Sequence, residues 1–194
     1  MRASDGQTKT GGRATRAVAL AGSVIGYAMD GFDLLTLGFM LPAISADLAF
    51  SAAEAGSLVT WTLVGAVAGG FIFGALSDRF GRIRVLTWTI LIFAAFTGLC
   101  ATATGYWELA LFRIGAGVGL GSEFGIGMAL AAEAWPATMR ARVSSYVALG
   151  WQAGVLVAAF ATPFLLPWIG WRGMFAVGML PAIVSPITIS ADGI

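Results

Sequence analysis

The 194-residue chain has the composition of an integral membrane protein, because 58% of its residues are hydrophobic, 11% are charged and its mean hydropathy is +0.87. Its formal net charge of +1 and its lack of a basic patch argue against a nucleic-acid-binding protein. It has no histidine and one cysteine, Cys100, which excludes histidine-based catalytic triads, Cys/His metal sites and internal disulfides. We therefore expect neither an enzyme nor a cofactor.

Six apolar runs of about 20 residues predict six transmembrane helices. Stretches such as "SDRFGR", "TGY" and "WPATMR" separate these runs and favour turns. The polar residues 1–16 are expected to be a disordered, cytoplasmic N-terminus, and residues 17–190 a six-helix bundle. The predicted spans are Ala17–Ile44, Gly56–Leu76, Val85–Thr104, Leu109–Ala132, Ser145–Leu166 and Gly173–Ile189.

The basic residues lie mainly on one side of the predicted spans. With the N-terminus in the cytoplasm, the outer side holds Arg172 alone among them, as the positive-inside rule requires. We therefore expect a multi-pass protein of the inner, cytoplasmic membrane with both termini inside. The cytoplasmic set is Arg2, Lys9, Arg13, Arg16, Arg79, Arg82, Arg84, Arg140 and Arg142.

The loop between the second and third spans reads "GALSDRFGRIR". Its glycines permit close backbone approach, and Asp78 can pair with a basic residue. A loop that only sets topology would also be basic. The pattern Gly-x-x-x-Asp-Arg-x-Gly-Arg nevertheless resembles the signature of the major facilitator superfamily between its second and third helices. Ile83 departs from it, because that family usually has a basic residue there.

The fourth span supports the same resemblance. It contains "RIGAGVGLG", where Arg113 precedes four alternate glycines. This is similar to the family pattern Arg-x-x-x-Gly-x-Gly-x-Gly, although helix packing alone explains the glycines. The following "EAWPATMR" resembles the Glu-x6-Arg element of sugar and organic-anion members. The resemblance implies a cytoplasmic gate or charge network made of Gly74, Asp78, Arg79, Gly81, Arg82, Glu133 and Arg140.

The finer motifs "DGFD", "GSEFG", "EAWP" and "GWR" together resemble sialic acid:proton and aromatic acid:proton symporters. Those transporters have twelve helices, and the resemblance covers the first half of them. It implies an all-α membrane protein of six transmembrane helices, arranged as two inverted three-helix repeats at residues 17–104 and 109–190. The implied function is proton-coupled transport of a small organic anion by alternating access.

Acidic residues inside predicted spans require an explanation, because a charge at a helix centre costs about 2.5–3.5 kcal/mol on insertion scales. Asp30 and Asp33 share one side of the first helix, in its outer half and near the depth of Arg113, and Glu123 lies in the inner half. In a structural interpretation, Asp33 and Arg113 only lock two helices together. In the functional interpretation, which we favour, these three acids carry protons.

The same interpretation gives a substrate site. Arg113 would attract the anion once its acid partner is protonated, and Asp33, Trp151 and Gln152 are the other substrate-binding candidates. An internal repeat at an offset of 90 residues makes the two acids on the first and fourth helices counterparts. The aligned pairs are Gly31 with Gly121, Asp33 with Glu123, Trp61 with Trp151 and Arg82 with Arg172.

Six helices provide one wall of a transport cavity, and lipid facing the buried charges would be unfavourable. The expected partners are therefore the bilayer, the anion with its protons, and an opposing wall. That wall would come from a second copy in a homodimer or from a separate C-terminal half. The alternative is a truncated or accessory membrane subunit that does not transport on its own.

Overall fold

The computed structural model describes residues 7–133 and 135–179, with their side chains at 20–82, 84–129 and 135–179. Within these residues the chain is all-helical and contains no strand. The helices, in order, are α1 Gln7–Leu48, α2 Ala52–Phe80, α3 Arg82–Cys100, α4 Tyr106–Glu133, a 3₁₀-helix Ala137–Met139, and α5 Arg140–Gly178.

The helices correspond to the predicted spans. Four of those described (α1, α2, α4 and α5) are long and apolar enough to cross a membrane, and α3 contains a shorter apolar segment, Arg84–Cys100. The predicted sixth span, Gly173–Ile189, lies mostly outside the described residues. Helix α1 begins at Gln7 and so includes residues 7–16, for which we expected disorder; this stretch has no proline to stop the helix.

Helix α5 joins the predicted fifth span to the start of the sixth. It is 39 residues long, and its path breaks at Gly170, where φ is 64° and ψ is 176°. Glycine reaches this backbone conformation without steric cost. Residues 171–178 after the break, named here the arm of α5, bury Trp171, Met174 and Phe175 in the hydrophobic core beside Leu37 of α1.

The connections at the helix ends have identifiable causes. Ser51 and Glu54 form a capping box that begins α2: the Ser51 hydroxyl accepts from the Glu54 amide at 3.2 Å, and the Glu54 carboxylate accepts from the Ser51 amide at 2.8 Å. Gly81, with φ of 91°, separates α2 from α3, and its amide donates to the Ser77 carbonyl. A single residue therefore reverses the chain in the basic loop.

Glycines allow α2 to approach the backbone of α4. A Cβ atom added at Gly65 would collide with the carbonyl oxygen of Ile114, and one added at Gly69 would collide with that of Val118. The contact partners advance together along both helices, so α2 and α4 run parallel. Because α1 and α2 are antiparallel across their three-residue connection, α1 and α4 also run in opposite directions.

The contact between α5 and α1 has the same construction. A Cβ atom at Gly150 would collide with the carbonyl oxygen of Val24, and one at Gly154 would collide with that of Ala28. Small residues of this kind let membrane helices pack closely, where van der Waals contact replaces the hydrophobic effect as the driving force.

These two helix pairs are related by the inverted repeat. Val24 and Ala28 correspond to Ile114 and Val118 at an offset of 90 residues, whereas the α2 and α5 glycines correspond at an offset of 85. The register of α1 and α4 therefore agrees with the predicted equivalence of Asp33 and Glu123. The predicted equivalence of Trp61 and Trp151 is wrong. Gly31 would collide with Trp151 as its counterpart Gly121 would with Ala66, which makes Ala66 the counterpart of Trp151.

Candidate functional site

The centre of the bundle holds an ion pair between α1 and α4. Nη1 of Arg113 donates to Oδ2 of Asp33 at 3.0 Å, and these residues are 0% and 7% exposed. A buried charge of this kind needs a partner, because the desolvation of each ion costs several kcal/mol. The structure thus joins the two residues that sequence reasoning placed at a similar depth.

Two further residues complete the surroundings of the guanidinium. Nε of Arg113 donates to Sγ of Cys100 on α3 at 3.3 Å, and Cζ lies 4.8 Å from the ring centroid of Phe175 in the arm of α5. Nη2 is buried and has no hydrogen-bond partner among the described residues. Neither Cys100 nor Phe175 is among the site residues predicted from the sequence.

The other two acids lie beside this pair. Asp30 and Glu123 are buried at 1% and 9% exposure, and Asp30 is close enough to Glu123 and Asp33 to interact with both electrostatically. The carboxyl groups of Asp30 and Glu123 are close enough to share a hydrogen bond when one of them holds a proton, and neither oxygen of Asp30 accepts from any other described donor. The depths estimated from the predicted spans put Asp30 and Glu123 in opposite halves of the membrane. This separation is wrong, because α1 and α4 are antiparallel with Ser23 against Gly127, which places Asp30 about one helical turn from Glu123.

The two repeats differ at this site. At the offset of 90 residues established for α1 and α4, the counterpart of Arg113 is Ser23, whose hydroxyl donates to the Gly127 carbonyl at 3.1 Å. Asp33 therefore has an arginine, whereas no described side chain forms an ion pair with its counterpart Glu123. The arrangement is asymmetric in charge although it is symmetric in backbone packing.

Aromatic rings flank the acid cluster. The Tyr27 ring lies 4.8 Å from Phe124 and 5.2 Å from Trp151, measured between centroids, and Tyr27 interacts electrostatically with Asp30. Trp151 therefore contacts Tyr27, which in turn lies beside Asp30. Gln152 is exposed on α5 and makes no hydrogen bond to the acids among the described side chains.

The predicted charge network at the basic loop is described in part. Asp78 and Arg82 are 4.0 Å apart, one helical turn along the chain, and Asp78 is largely exposed. Arg79 lies over the Phe80 ring at 5.7 Å, and Gly74 accepts from the Ser77 hydroxyl at 2.7 Å. Gly81 makes the turn, and Arg140 is exposed at the start of α5. The side chain of Glu133 lies outside the described residues.

A second charged cluster lies at the opposite end of the bundle. Oδ2 of Asp47 accepts from Nη1 of Arg172 at 2.5 Å and from Nε1 of Trp171 at 3.1 Å. Nη2 of Arg172 donates to the Ala103 carbonyl at 3.3 Å. This clasp (Asp47, Ala103, Trp171 and Arg172) joins the end of α1, the α3–α4 connection and the arm of α5. Sequence analysis noted "GWR" and Arg172 without finding their partner.

The membrane-spanning helices and the charges buried between them define an integral, multi-pass membrane protein built as half of a transporter fold. Residues 23–191 match the family model of the Major Facilitator Superfamily, and the chain belongs to that superfamily. The fold is similar to the inward-open xylose transporter XylE from E. coli, with a TM-score of 0.78 and 23% identity over 89% of this chain and 47% of that one.

Curated relatives support the same family. A Haemophilus influenzae protein described as a "Putative metabolite transport protein" is 72% identical over 86% of this chain and 41% of its own length. The sialic acid transporter NanX of Escherichia coli is 32% identical over 86% of this chain and 41% of its own length. The 4-hydroxybenzoate transporter PcaK of Acinetobacter baylyi is 32% identical over 77% of this chain and 33% of its own length. The chain thus spans about two fifths or less of these relatives, which are transporters rather than enzymes.

Proposed function

We propose that the protein transports a small organic anion, coupled to protons, by alternating access. The observation that carries this proposal is the state of Arg113, whose guanidinium is buried, is bound to Asp33 by Nη1 and has an Nη2 with no described partner. A carboxylate or similar anion would find in this group a strong charge-assisted donor in a low-dielectric surrounding.

Asp33 is the switch in this mechanism. When it is ionised, it competes with the anion for Arg113; when it takes up a proton, the arginine is released to the substrate. Proton binding and anion binding therefore favour each other, which is the coupling that a symporter needs.

Asp30 and Glu123 carry protons in the same mechanism. Both are buried, and no described side chain supplies either of them with a cation. Burial without a counter-charge favours the neutral form of a carboxyl group, and exposure to a water-filled cavity favours the ionised form. Opening to opposite sides of the membrane would thus load and unload a proton at these acids.

The substrate site includes the aromatic group as well as the charges. We assign Arg113, Asp33, Trp151 and Gln152 to substrate binding, with Trp151 presenting its ring beside Tyr27. Planar rings favour stacking with a flat substrate. The names of the relatives include sialic acid and 4-hydroxybenzoate, both of which carry a carboxylate. An organic anion with one carboxylate is the class that this site suits.

The cytoplasmic gate is the basic loop with its charge network. Asp78 and Arg82 would exchange partners with Arg140 and Glu133 as the bundle rocks, while Gly81 keeps the turn tight. This assignment also gives the orientation: the N-terminus and the C-terminus lie on the cytoplasmic side of the inner membrane, with the basic loop. Gly74 and Arg79 complete the network.

The chain requires an opposing wall for alternating access, because its bundle supplies one side of the cavity. A second copy in a homodimer, or a separate C-terminal half, would supply it. The alternative function is that of an accessory or truncated membrane subunit without transport of its own.

The test is uptake into membrane vesicles that contain the protein. Radiolabelled sialic acid, 4-hydroxybenzoate and niacin are offered with and without an inward proton gradient. We expect gradient-stimulated uptake of at least one, lost in Asp33→Asn and Glu123→Gln and retained in Glu54→Gln, a control acid at a helix start. Uptake that survives both central substitutions would overturn the proton assignment. Absence of uptake of every probe would favour the accessory subunit.

A further inference from the structure

Arg113 is held by three helices at once. Asp33 of α1 accepts from Nη1, Cys100 of α3 accepts from Nε, and the Phe175 ring of the α5 arm lies under the guanidinium carbon. Of these contacts, the first belongs to the proposed proton switch. The other two involve no acid and have no role in that switch.

The contact with Cys100 fixes the plane of the guanidinium. Because the guanidinium is planar, holding Nε at one end and Nη1 at the other determines the position of Nη2. Cys100 is 0% exposed, and its thiol is a weak acceptor, so its Sγ accepts from Nε at 3.3 Å without competing strongly with a substrate anion. When protonation releases Nη1 from Asp33, the Cys100 contact remains.

Phe175 holds the same group from its face. A guanidinium stacked on an aromatic ring gains cation–π attraction, which increases when the pair is desolvated, as this pair is. The position of Phe175 follows from the break at Gly170, since the arm after that residue turns Trp171 and Phe175 into the core.

We propose that Cys100 and Phe175 are positioning residues that keep the Arg113 guanidinium oriented for the substrate anion whether Asp33 is ionised or protonated. This inference rests on the proposed function, because it concerns the anion that Arg113 binds. It adds that the affinity for the anion depends on a thiol and an aromatic ring, side chains that have no part in the proposed transfer of protons.

The test compares Cys100→Ala with Cys100→Ser in vesicles that contain the protein, and measures the half-saturating concentration and the maximal rate for 4-hydroxybenzoate. The alanine lacks the acceptor for Nε, and we expect its half-saturating concentration to rise about threefold, as for the loss of one weak hydrogen bond. The serine keeps an acceptor and should restore most of the affinity. Thr97→Ala is the matched control: Thr97 is buried on α3, and its hydroxyl has no described partner.

Substitutions of Phe175 provide an independent test. Phe175→Leu should raise the half-saturating concentration, and Phe175→Tyr should leave it near the wild-type value, because the tyrosine keeps an aromatic face. The thermal unfolding midpoint of every variant is measured alongside. If Cys100→Ala does not fold, Phe175→Leu and Phe175→Tyr decide the question.

Arg113→Ala separates the two claims. If this variant binds and transports the anion as the wild type does, the proposed function itself is wrong. If Arg113→Ala abolishes binding while Cys100→Ala and Phe175→Leu behave like Thr97→Ala, only the positioning inference is overturned. Equal loss in Cys100→Ser and Cys100→Ala would also contradict it, since a role in packing volume alone would then suffice.

Discussion

Asp33 and Glu123 occupy equivalent positions in the two inverted repeats, yet among the described side chains an arginine pairs with Asp33 and none pairs with Glu123. The glycine contacts give the register: α1 and α4 are related by 90 residues, and Ser23 stands where the second repeat has Arg113. The fold therefore provides two similar sites with different charges, which supports a division of labour between an acid that releases an arginine and an acid that carries a proton without one.

The ion pair predicts a strong dependence of stability on each partner. Asp33→Ala leaves a buried arginine without its counter-charge and should lower the free energy of unfolding by about 3–5 kcal/mol. Adding Arg113→Leu should recover much of this loss, because the double variant buries no unpaired charge. Chemical unfolding in detergent measures both, with Thr60→Ala at an exposed position of α2 as the control. A double variant less stable than Asp33→Ala would show that the arginine has another strong partner.

Glu123→Gln should uncouple transport from the proton gradient. The amide has nearly the shape of the carboxyl group but does not bind and release a proton at physiological pH. Substrate exchange across the membrane should therefore continue, whereas stimulation by the proton gradient should be lost. Counterflow and gradient-driven uptake, measured on the same vesicles, separate the two activities. Gradient stimulation equal to that of the wild type would remove Glu123 from the proton path.

The repeat predicts matched effects at matched glycines. Gly69→Ala and Gly154→Ala both place a Cβ atom against a carbonyl oxygen, and each should cost about 1–3 kcal/mol by overpacking. Gly38→Ala, whose Cβ meets nothing within 4 Å, should be neutral or stabilising. Unfolding midpoints of the three variants provide the comparison. Tolerance of alanine at one glycine and not at its counterpart would contradict the shared packing.

The clasp at the opposite end of the bundle should contribute modestly to stability. Asp47 and Arg172 are each nearly half exposed, so Arg172→Ala should lower stability only slightly, and less at high salt. Trp171→Phe removes one hydrogen bond to the same carboxylate and also part of a ring buried in the core, so it should cost more than Arg172→Ala. Unfolding at low and high salt checks this. If the loss of stability in Arg172→Ala is the same at low and high salt, packing rather than charge holds the clasp.

The features that could be predicted from the sequence are those that depend on a single regular helix. The rise per residue placed Asp33 and Arg113 at similar depth, and alternate glycines in the fourth span indicated close packing. Both features depend on a regular helix and on its length alone. The equivalence of Asp33 and Glu123 also follows from the sequence, since α1 and α4 keep one constant offset.

Contacts that depend on which helices pack side by side could not be predicted from the sequence. Cys100 and Phe175 reach Arg113 because α3 packs beside α4 and the arm turns inward at Gly170, and no local pattern gives these positions. The Trp61–Trp151 alignment failed for a related reason: between the equivalent contacts, α4 and α5 together are shorter than α1 and α2, and this changes the offset from 90 residues in the first helix of each repeat to 85 in the second. Glycines in contact reveal such a shift, whereas a search at one constant offset does not.

The most direct measurement of the central claim is proton uptake upon anion binding. The purified protein in weakly buffered detergent, with a pH indicator, is mixed with a saturating carboxylate such as 4-hydroxybenzoate. If anion binding at Arg113 requires a protonated Asp33, the wild type will take protons from solution when the anion binds, and Asp33→Asn will bind the anion without taking them. Anion binding by the wild type without any proton uptake would contradict the account.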